Sequence, residues 1–346
     1  MSPLAHQYIE RETSAVRTER LYADRLVNFL YGPPREQAAW LFRQLTSSRA
    51  SEMLAYLNYD LALNRRSGRS GLPVKAIDID VAECVLPPEA LNTPRKVFER
   101  QIRYWAVRPM EEDPRALVSP ADARVLCGSL RESSQLFLKN KFFDVAELIG
   151  RHKTLWYQRF AEGDVAIFRL TPDKYHYNHV PVSGQVLDIY EVDGAYHSCN
   201  PGPVVQVVTP YSKNHRVVTI IDSDVPGGSQ AGLVAMIEIV ALMIGDIVQC
   251  YSDRRYEEPR DVRPGLMVRK GQPKSLYRPG GSTDVLIFQK GRVDFCEDLL
   301  VNMVRPGVRS RFSQGFGRPL AETDLKVRST IGWTRPAFTT RVDHGK

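Results

Sequence analysis

No two cysteines stand close enough in this chain to form a redox motif or half of a zinc site. The five present (Cys84, Cys127, Cys199, Cys250, Cys296) are widely spaced and odd in number, which argues for reduced thiols rather than a disulfide framework. Polybasic blocks, zinc-finger spacings and RNP-type motifs are also missing. The net charge is +7, but it is spread thinly, so no nucleic acid is expected as a partner, while an anionic membrane surface or acidic small molecules remain suited to it. One stretch could be mistaken for a membrane span, residues 231–248 (AGLVAMIEIVALMIGDIV), yet it contains Glu238 and Asp246. It is at the short end of the roughly 20 apolar residues that a span requires, and mid-bilayer charge is expensive. We read it as one or two buried strands. The first twenty residues carry charge and no apolar core, so no signal peptide is expected and the reading is cytoplasmic, peripheral on a membrane at most. A GxSxG elbow is absent, which weakens the case for an ordinary serine hydrolase.

What is present is a globular composition: 346 residues, 43% hydrophobic and 25% charged, enough for one large domain and an accessory segment. From about Thr13 to Asn64 the apolar residues recur near helical spacing: Leu21, Leu26, Phe29 and Leu30, then Ala39, Trp40, Phe42 and Leu45, then Met53, Leu54, Leu57 and Leu61. From Leu117 onward short strand-like runs follow (LVSPADARVL, DVAIFRL, GQVLDIYEV, VVQVV, HRVVTIID), several separated by turn residues. The expected fold is therefore α+β, an N-terminal helical region (1–96) packed on a β-rich domain of short, mainly antiparallel strands (97–300), with a basic C-terminal tail (301–346) that wraps the domain or stays mobile.

Three short stretches carry candidate chemistry. In Gly280-Gly281-Ser282-Thr283, before the apolar run Val285-Leu286-Ile287-Phe288, the plain reading is a turn entering a strand. The sharper one is a self-cleaving bond: a serine hydroxyl attacks the carbonyl before it, where Gly281 offers no Cβ to block the approach. That chemistry needs a base and an acid to orient it. His176 and His179 lie three apart just after a strand. They read as strand-end histidines, as an acid–base pair, or as part of a metal site that no further His/Cys cluster completes. Asp122, in Ser119-Pro120-Ala121-Asp122, is a turn residue or the third member of an acid–base–nucleophile set.

Together, Ser119-Pro120-Ala121-Asp122, Tyr175-His176-Tyr177-Asn178-His179 with Pro181, and Gly280-Gly281-Ser282-Thr283 resemble the phosphatidylserine decarboxylases in order and spacing, over roughly Val97 to Phe295. The resemblance implies a proenzyme cut between Gly281 and Ser282 into a β chain (1–281) and an α chain (282–346) whose first residue becomes a pyruvoyl group. It implies self-cleavage by Asp122, His179 and Ser282, and decarboxylation assisted by His176. Its ketone would take a substrate amine as a Schiff base and accept the electrons released with CO2. Phosphatidylserine is the implied substrate, the product being phosphatidylethanolamine; a soluble amino acid is the variant, and a homodimer is compatible with either. The rival readings are a non-enzymatic β-domain that binds lipid or protein, and a serine hydrolase built on the same three residues. This chain has Ala123-Arg124 where the family usually has Gly after Pro-Ala-Asp, and Gly280 where Leu is commoner.

Overall fold

The computed structural model describes residues 5–21, 79–131, 142–199, 201–206, 210–241, 246–279 and 282–335. The strands in chain order are β1 (Gln7–Glu10), β2 (Val16–Thr18), β3 (Ala116–Val118), β4 (Ala123–Ser129), β5 (Asp164–Leu170), β6 (Tyr177–His179), β7 (Gly184–Val192) and β8 (Arg216–Asp222). They continue with β9 (Leu233–Val240), β10 (Ile247–Gln249), β11 (Met267–Val268), β12 (Pro273–Tyr277), β13 (Ser282–Phe288), β14 (Val293–Phe295), β15 (Thr323–Leu325) and β16 (Thr330–Thr334). Ten of them form one sheet in the order β11-β7-β8-β9-β13-β5-β4-β15-β1-β2. Every pairing in it is antiparallel except β1 with β15. Two three-stranded sheets accompany it, β10-β12-β6 and β14-β16-β3. The chain is thus β-rich with antiparallel sheets.

The central strands are covered on both faces, which is why VAIF, VVTII and VLIF read as unbroken apolar runs rather than alternating ones. Side chains still alternate in direction along each strand. On one face Leu286 and Phe288 join Phe168, Leu170, Met236 and Val240 in a core closed by Tyr277, Val180 and Val182. On the other, Val285 and Ile287 pack with Ile237, Val165 and Ile167 against Leu148, Phe160 and Phe312, which come from the helices Val145–Ile149, Thr154–Phe160 and Arg311–Phe316.

Three expectations change. The helical reading from Thr13 fails over its first residues, where Val16–Thr18 pairs with β1 in a hairpin around a turn at residues 11–13. Alternating Val-Arg-Thr suits a strand, and helical periodicity begins only at Leu21. The helices expected over residues 22–64 lie outside the described residues. Of the run VVQVV, expected as a strand, residues 204–206 lie in the helix Pro201–Gln206, which Pro201 opens with a helix-compatible φ angle, and residues 207–209 lie outside the described residues. Finally, the basic stretch after residue 301 supplies the helices Glu297–Met303 (in part) and Arg311–Phe316 and two strands, one in the main sheet; residues 336–346 lie outside the described residues. The reading of residues 231–248 as strands holds in β9 and β10. Among the described residues no helix is long and apolar enough to cross a membrane.

A buried ion cluster ties the N-terminal hairpin to the segment after β13. Arg169 donates to both oxygens of Glu19 (3.0 and 2.7 Å) and of Glu322 (2.9 and 2.6 Å), and His6 Nε2 lies 2.8 Å from Glu322. His6, Glu19 and Glu322 are the one set of side chains with metal-like spacing among the described residues. Arg169 occupies the position a cation would take, so this is an ion-pair core.

Candidate active site

Ser282 opens β13 and is paired on both sides, with Leu170 of β5 and Val240 of β9. By strand alternation Ser282, Asp284 and Leu286 share the face covered by the small sheet β10-β12-β6. The hydrogen bonds across that layer agree: Tyr277 reaches Asp284, while Asn178 and Lys274 reach Glu238, the residue opposite Asp284 on β9. Both connections to the small sheet start next to the serine. β5 ends at Leu170 and leads through residues 171–176 into β6; β12 ends at Tyr277, five positions before Ser282. Gly280 and Gly281 lie outside the described residues, so the bond expected to be cut does too.

The Ser282 hydroxyl is fully buried and has no hydrogen-bond partner among the described residues. His176 is equally buried, its ring stacked on Phe98 with centroids 3.6 Å apart; among the described residues no side chain hydrogen-bonds its ring nitrogens, and the Lys174 backbone is the polar group beside them. Its carbonyl accepts from the Tyr277 amide at 3.0 Å. Burial, and then the Arg100 guanidinium, push this imidazole well below the ordinary histidine pKa. His179 is lowered to about 3, by burial first, with Arg328 and Arg108 adding to it and the Gly271 carbonyl and Asp122 opposing. Both rings are therefore neutral at neutral pH, the form that can accept a proton.

Each ring nitrogen of His179 is occupied: Nδ1 lies 2.9 Å from the Gly271 carbonyl and Nε2 2.9 Å from the Tyr175 hydroxyl. Gly271 has φ of +74°, and a Cβ there would run into Met110, so glycine lets this carbonyl come close. Asp122 does not hydrogen-bond the ring. Arg108 grips both its oxygens (3.0 and 2.8 Å) and the Val327 amide donates to it at 2.7 Å. The loop is nevertheless beside the histidine, because the His179 amide donates to the Pro120 carbonyl at 2.7 Å. Burial alone raises the Asp122 carboxyl, but the Arg108 charge outweighs it and holds the group below the usual range. Ser282 thus opens β13 on the face covered by the small sheet, His176 and His179 lie just before and at the end of β6 in that sheet, and the Asp122 loop lies beside His179.

A polar network not anticipated from the sequence lies behind the serine. Glu238 accepts from Lys274 (2.7 Å), Gln249 (3.1 Å), Asn178 (3.3 Å) and Ser275, and Lys274 also donates to Gln249 at 2.8 Å. Asp284 is pushed far above the ordinary carboxyl pKa, by burial first and then by Glu238. The signal for it was a charge inside each of two apolar runs, AMIEIV and STDVLIF; a carboxyl there must be paired or neutral.

Comparison with known proteins gives one consistent result. The family model for phosphatidylserine decarboxylase matches residues 95–318. The phosphatidylserine decarboxylase proenzyme of Photobacterium profundum is 30% identical over 258 residues, 71% of this chain and 82% of the relative. That of Chlamydia trachomatis is 29% identical over 314 residues, covering 90% and 96%, and that of Fusobacterium nucleatum 26% over 309 residues, covering 86% and 91%.

Proposed function

The chain belongs to the phosphatidylserine decarboxylase family, and on that footing we propose that it converts phosphatidylserine to phosphatidylethanolamine and CO2 after cutting itself between Gly281 and Ser282. The observation that carries the reading is the state of Ser282: a buried hydroxyl without a partner among the described residues, at the head of a central strand, beneath the layer that holds His176 and His179. In self-cleavage the Ser282 Oγ attacks the carbonyl of residue 281 and His179 receives the hydroxyl proton. The fixed negative charge of Asp122 favours the imidazolium that forms, acting through space rather than through a hydrogen bond.

The same position fits a pyruvoyl group. In that group a methyl stands where the serine hydroxymethyl was, so no hydrogen bond is lost with the hydroxyl, and the rest of β13, paired with β5 and β9, holds it in place. Such a group supplies the electron sink for loss of CO2 from an amine-bearing substrate. His176, neutral at neutral pH, is placed to hold or return the proton that replaces the carboxyl. Because the substrate is a membrane lipid, the protein works at a bilayer surface.

The test is a denaturing gel and intact mass of wild type and Ser282→Ala, with CO2 release from phosphatidylserine vesicles. Wild type should give fragments ending at 281 and beginning at 282, and should release CO2; Ser282→Ala should stay whole and inactive. A whole, inactive wild type would sink the reading. CO2 from free amino acids and none from the lipid would move the substrate to the soluble class.

A further inference from the structure

At rest both ring nitrogens of His179 are engaged, and Nε2 is open to a proton once the Tyr175 hydroxyl turns toward Tyr256. Gly271 offers only a carbonyl oxygen, so Nδ1 must carry the proton and donate to it. The remaining lone pair, on Nε2, is then filled by the Tyr175 hydroxyl, whose single proton points at the ring. Tyr175 is buried, and its oxygen lies 2.7 Å from the hydroxyl of Tyr256. Tyr256 is partly exposed; its single proton is shared between the Tyr175 oxygen and the Ile102 carbonyl (2.8 Å), and it accepts from the Ile102 amide (3.2 Å). Its ring meets Trp105, on which the exposed Arg255 lies at 4.1 Å. A row of hydroxyls therefore runs from the buried base toward the rim of the domain.

In self-cleavage such a row can exchange a proton between the base and solvent. Ester formation moves the serine proton to the base and on to the amide nitrogen of residue 282, which leaves no net charge. Breaking the ester is different: removing the Cα proton of residue 282 forms a carbon–carbon double bond, expels the Oγ with residue 281 as a carboxylate, and leaves one proton on the base; the enamine then takes a proton at its methylene carbon, and water replaces its nitrogen, released as ammonia, to give the ketone. His179 has no exposed surface from which to lose the proton left on it.

We infer that the hydroxyls of Tyr175 and Tyr256 relay that proton from His179 to solvent, with Tyr175 as the positioning residue of the base. In the relay His179 Nε2–H passes its proton to the Tyr175 oxygen while Tyr175 O–H passes its own to Tyr256, and Tyr256 O–H releases one to water. Each tyrosine ends neutral. The inference rests on the self-cleavage reading above and deepens it.

The experiment follows freshly translated wild type, Tyr175→Phe and Tyr256→Phe by denaturing gel, with and without hydroxylamine, which splits an ester at 281/282 and leaves an amide intact. Both variants should accumulate hydroxylamine-sensitive chains while fragments with a ketone terminus form more slowly, about tenfold or more for Tyr175→Phe. Tyr256, at the outer end, provides the variant least exposed to folding defects. The relay is wrong if either variant forms ketone-terminated fragments at the wild-type rate, or if Tyr256→Phe stays whole and hydroxylamine-resistant. A wild type that never splits would remove the self-cleavage reading itself; wild-type splitting with unaffected tyrosine variants would remove the relay alone.

Discussion

The hydroxyl of Tyr277 lies 2.6 Å from Oδ1 of Asp284 and 3.2 Å from the carbonyl of Thr283, and it also accepts from the Ile239 amide at 3.0 Å. One hydroxyl has one proton to give. If Asp284 were ionised, Tyr277 would spend that proton on the carboxylate, leaving the Thr283 carbonyl unserved and a charge buried beside Glu238. With Asp284 protonated, the acid donates to Tyr277 and Tyr277 donates to Thr283, so these groups are satisfied together. The Tyr277 amide also bonds the His176 carbonyl. A neutral acid thus fastens the His176 turn to the strand that begins at Ser282.

A carboxyl whose pKa is raised by folding binds its proton more tightly in the native state. Its contribution is fully present below the unfolded value near 4 and is lost as pH rises toward the folded pKa. Asp284→Asn keeps a donor for Tyr277 and cannot ionise. Urea titrations at pH 5 and pH 8 should show wild type losing stability relative to Asp284→Asn, by up to about 1.4 kcal/mol per pH unit within that window. Parallel behaviour of the two proteins would mean that Asp284 is ionised in the fold.

The two histidines should separate cutting from turnover. His179 is the ring held by Gly271 and Tyr175, so His179→Ala should leave the chain whole. His176→Ala should still cut, since its ring makes no hydrogen bond that positions Ser282, but CO2 release should fall by about 100-fold or more. Gels and a CO2 assay on the same preparations decide it. Equal cutting defects in both variants would contradict the assigned roles.

Cutting at 281/282 should not release the new α chain. β13 remains paired with β5 and β9, β15 with β4, and Glu322 with Arg169. Native mass should therefore equal that of the intact chain, and the fragments should part only under denaturant. Arg169→Met leaves Glu19 and Glu322 buried without their shared cation, and should cost about 3–5 kcal/mol in urea unfolding.

Much of the site was legible because its residues sit in contiguous motifs: Ser282 and the two histidines follow or open strands whose apolar runs are plain in the sequence. The partners were not. Glu238 and Asp284 stand out as charges in apolar runs, yet that they face one another depends on β9 lying beside β13, a sheet order that no local pattern encodes. The partners of Asp122 were hidden for the same reason, since Arg108 and Val327 reach it from outside its own motif. β1 pairs in parallel with β15, across more than three hundred residues, so its short polar sequence carried no sign of a sheet. In Pro201–Gln206 the opening proline overrode the strand preference of the valines.

The Arg108–Asp122 pair makes the last prediction. Arg108 also donates to Glu83 at 2.7 Å through each of its two terminal nitrogens, so it is anchored independently of the aspartate. Without its guanidinium, burial would lift the Asp122 carboxyl, with Lys174 and the Val327 amide as its remaining support. If self-cleavage needs the negative charge beside His179, Arg108→Met should lose cutting on the acid side at higher pH than wild type does. The rate of splitting between pH 5 and pH 8 measures this, with the thermal midpoint checking that the variant is folded. Losing Arg108 also lifts His179. The limb therefore ties the rate to the Asp122 charge if it moves upward in Arg108→Met but no further upward in Arg108→Met/Asp122→Asn than in Asp122→Asn. A limb that stays in place in a folded Arg108→Met means that the aspartate serves only to hold Arg108 and Val327.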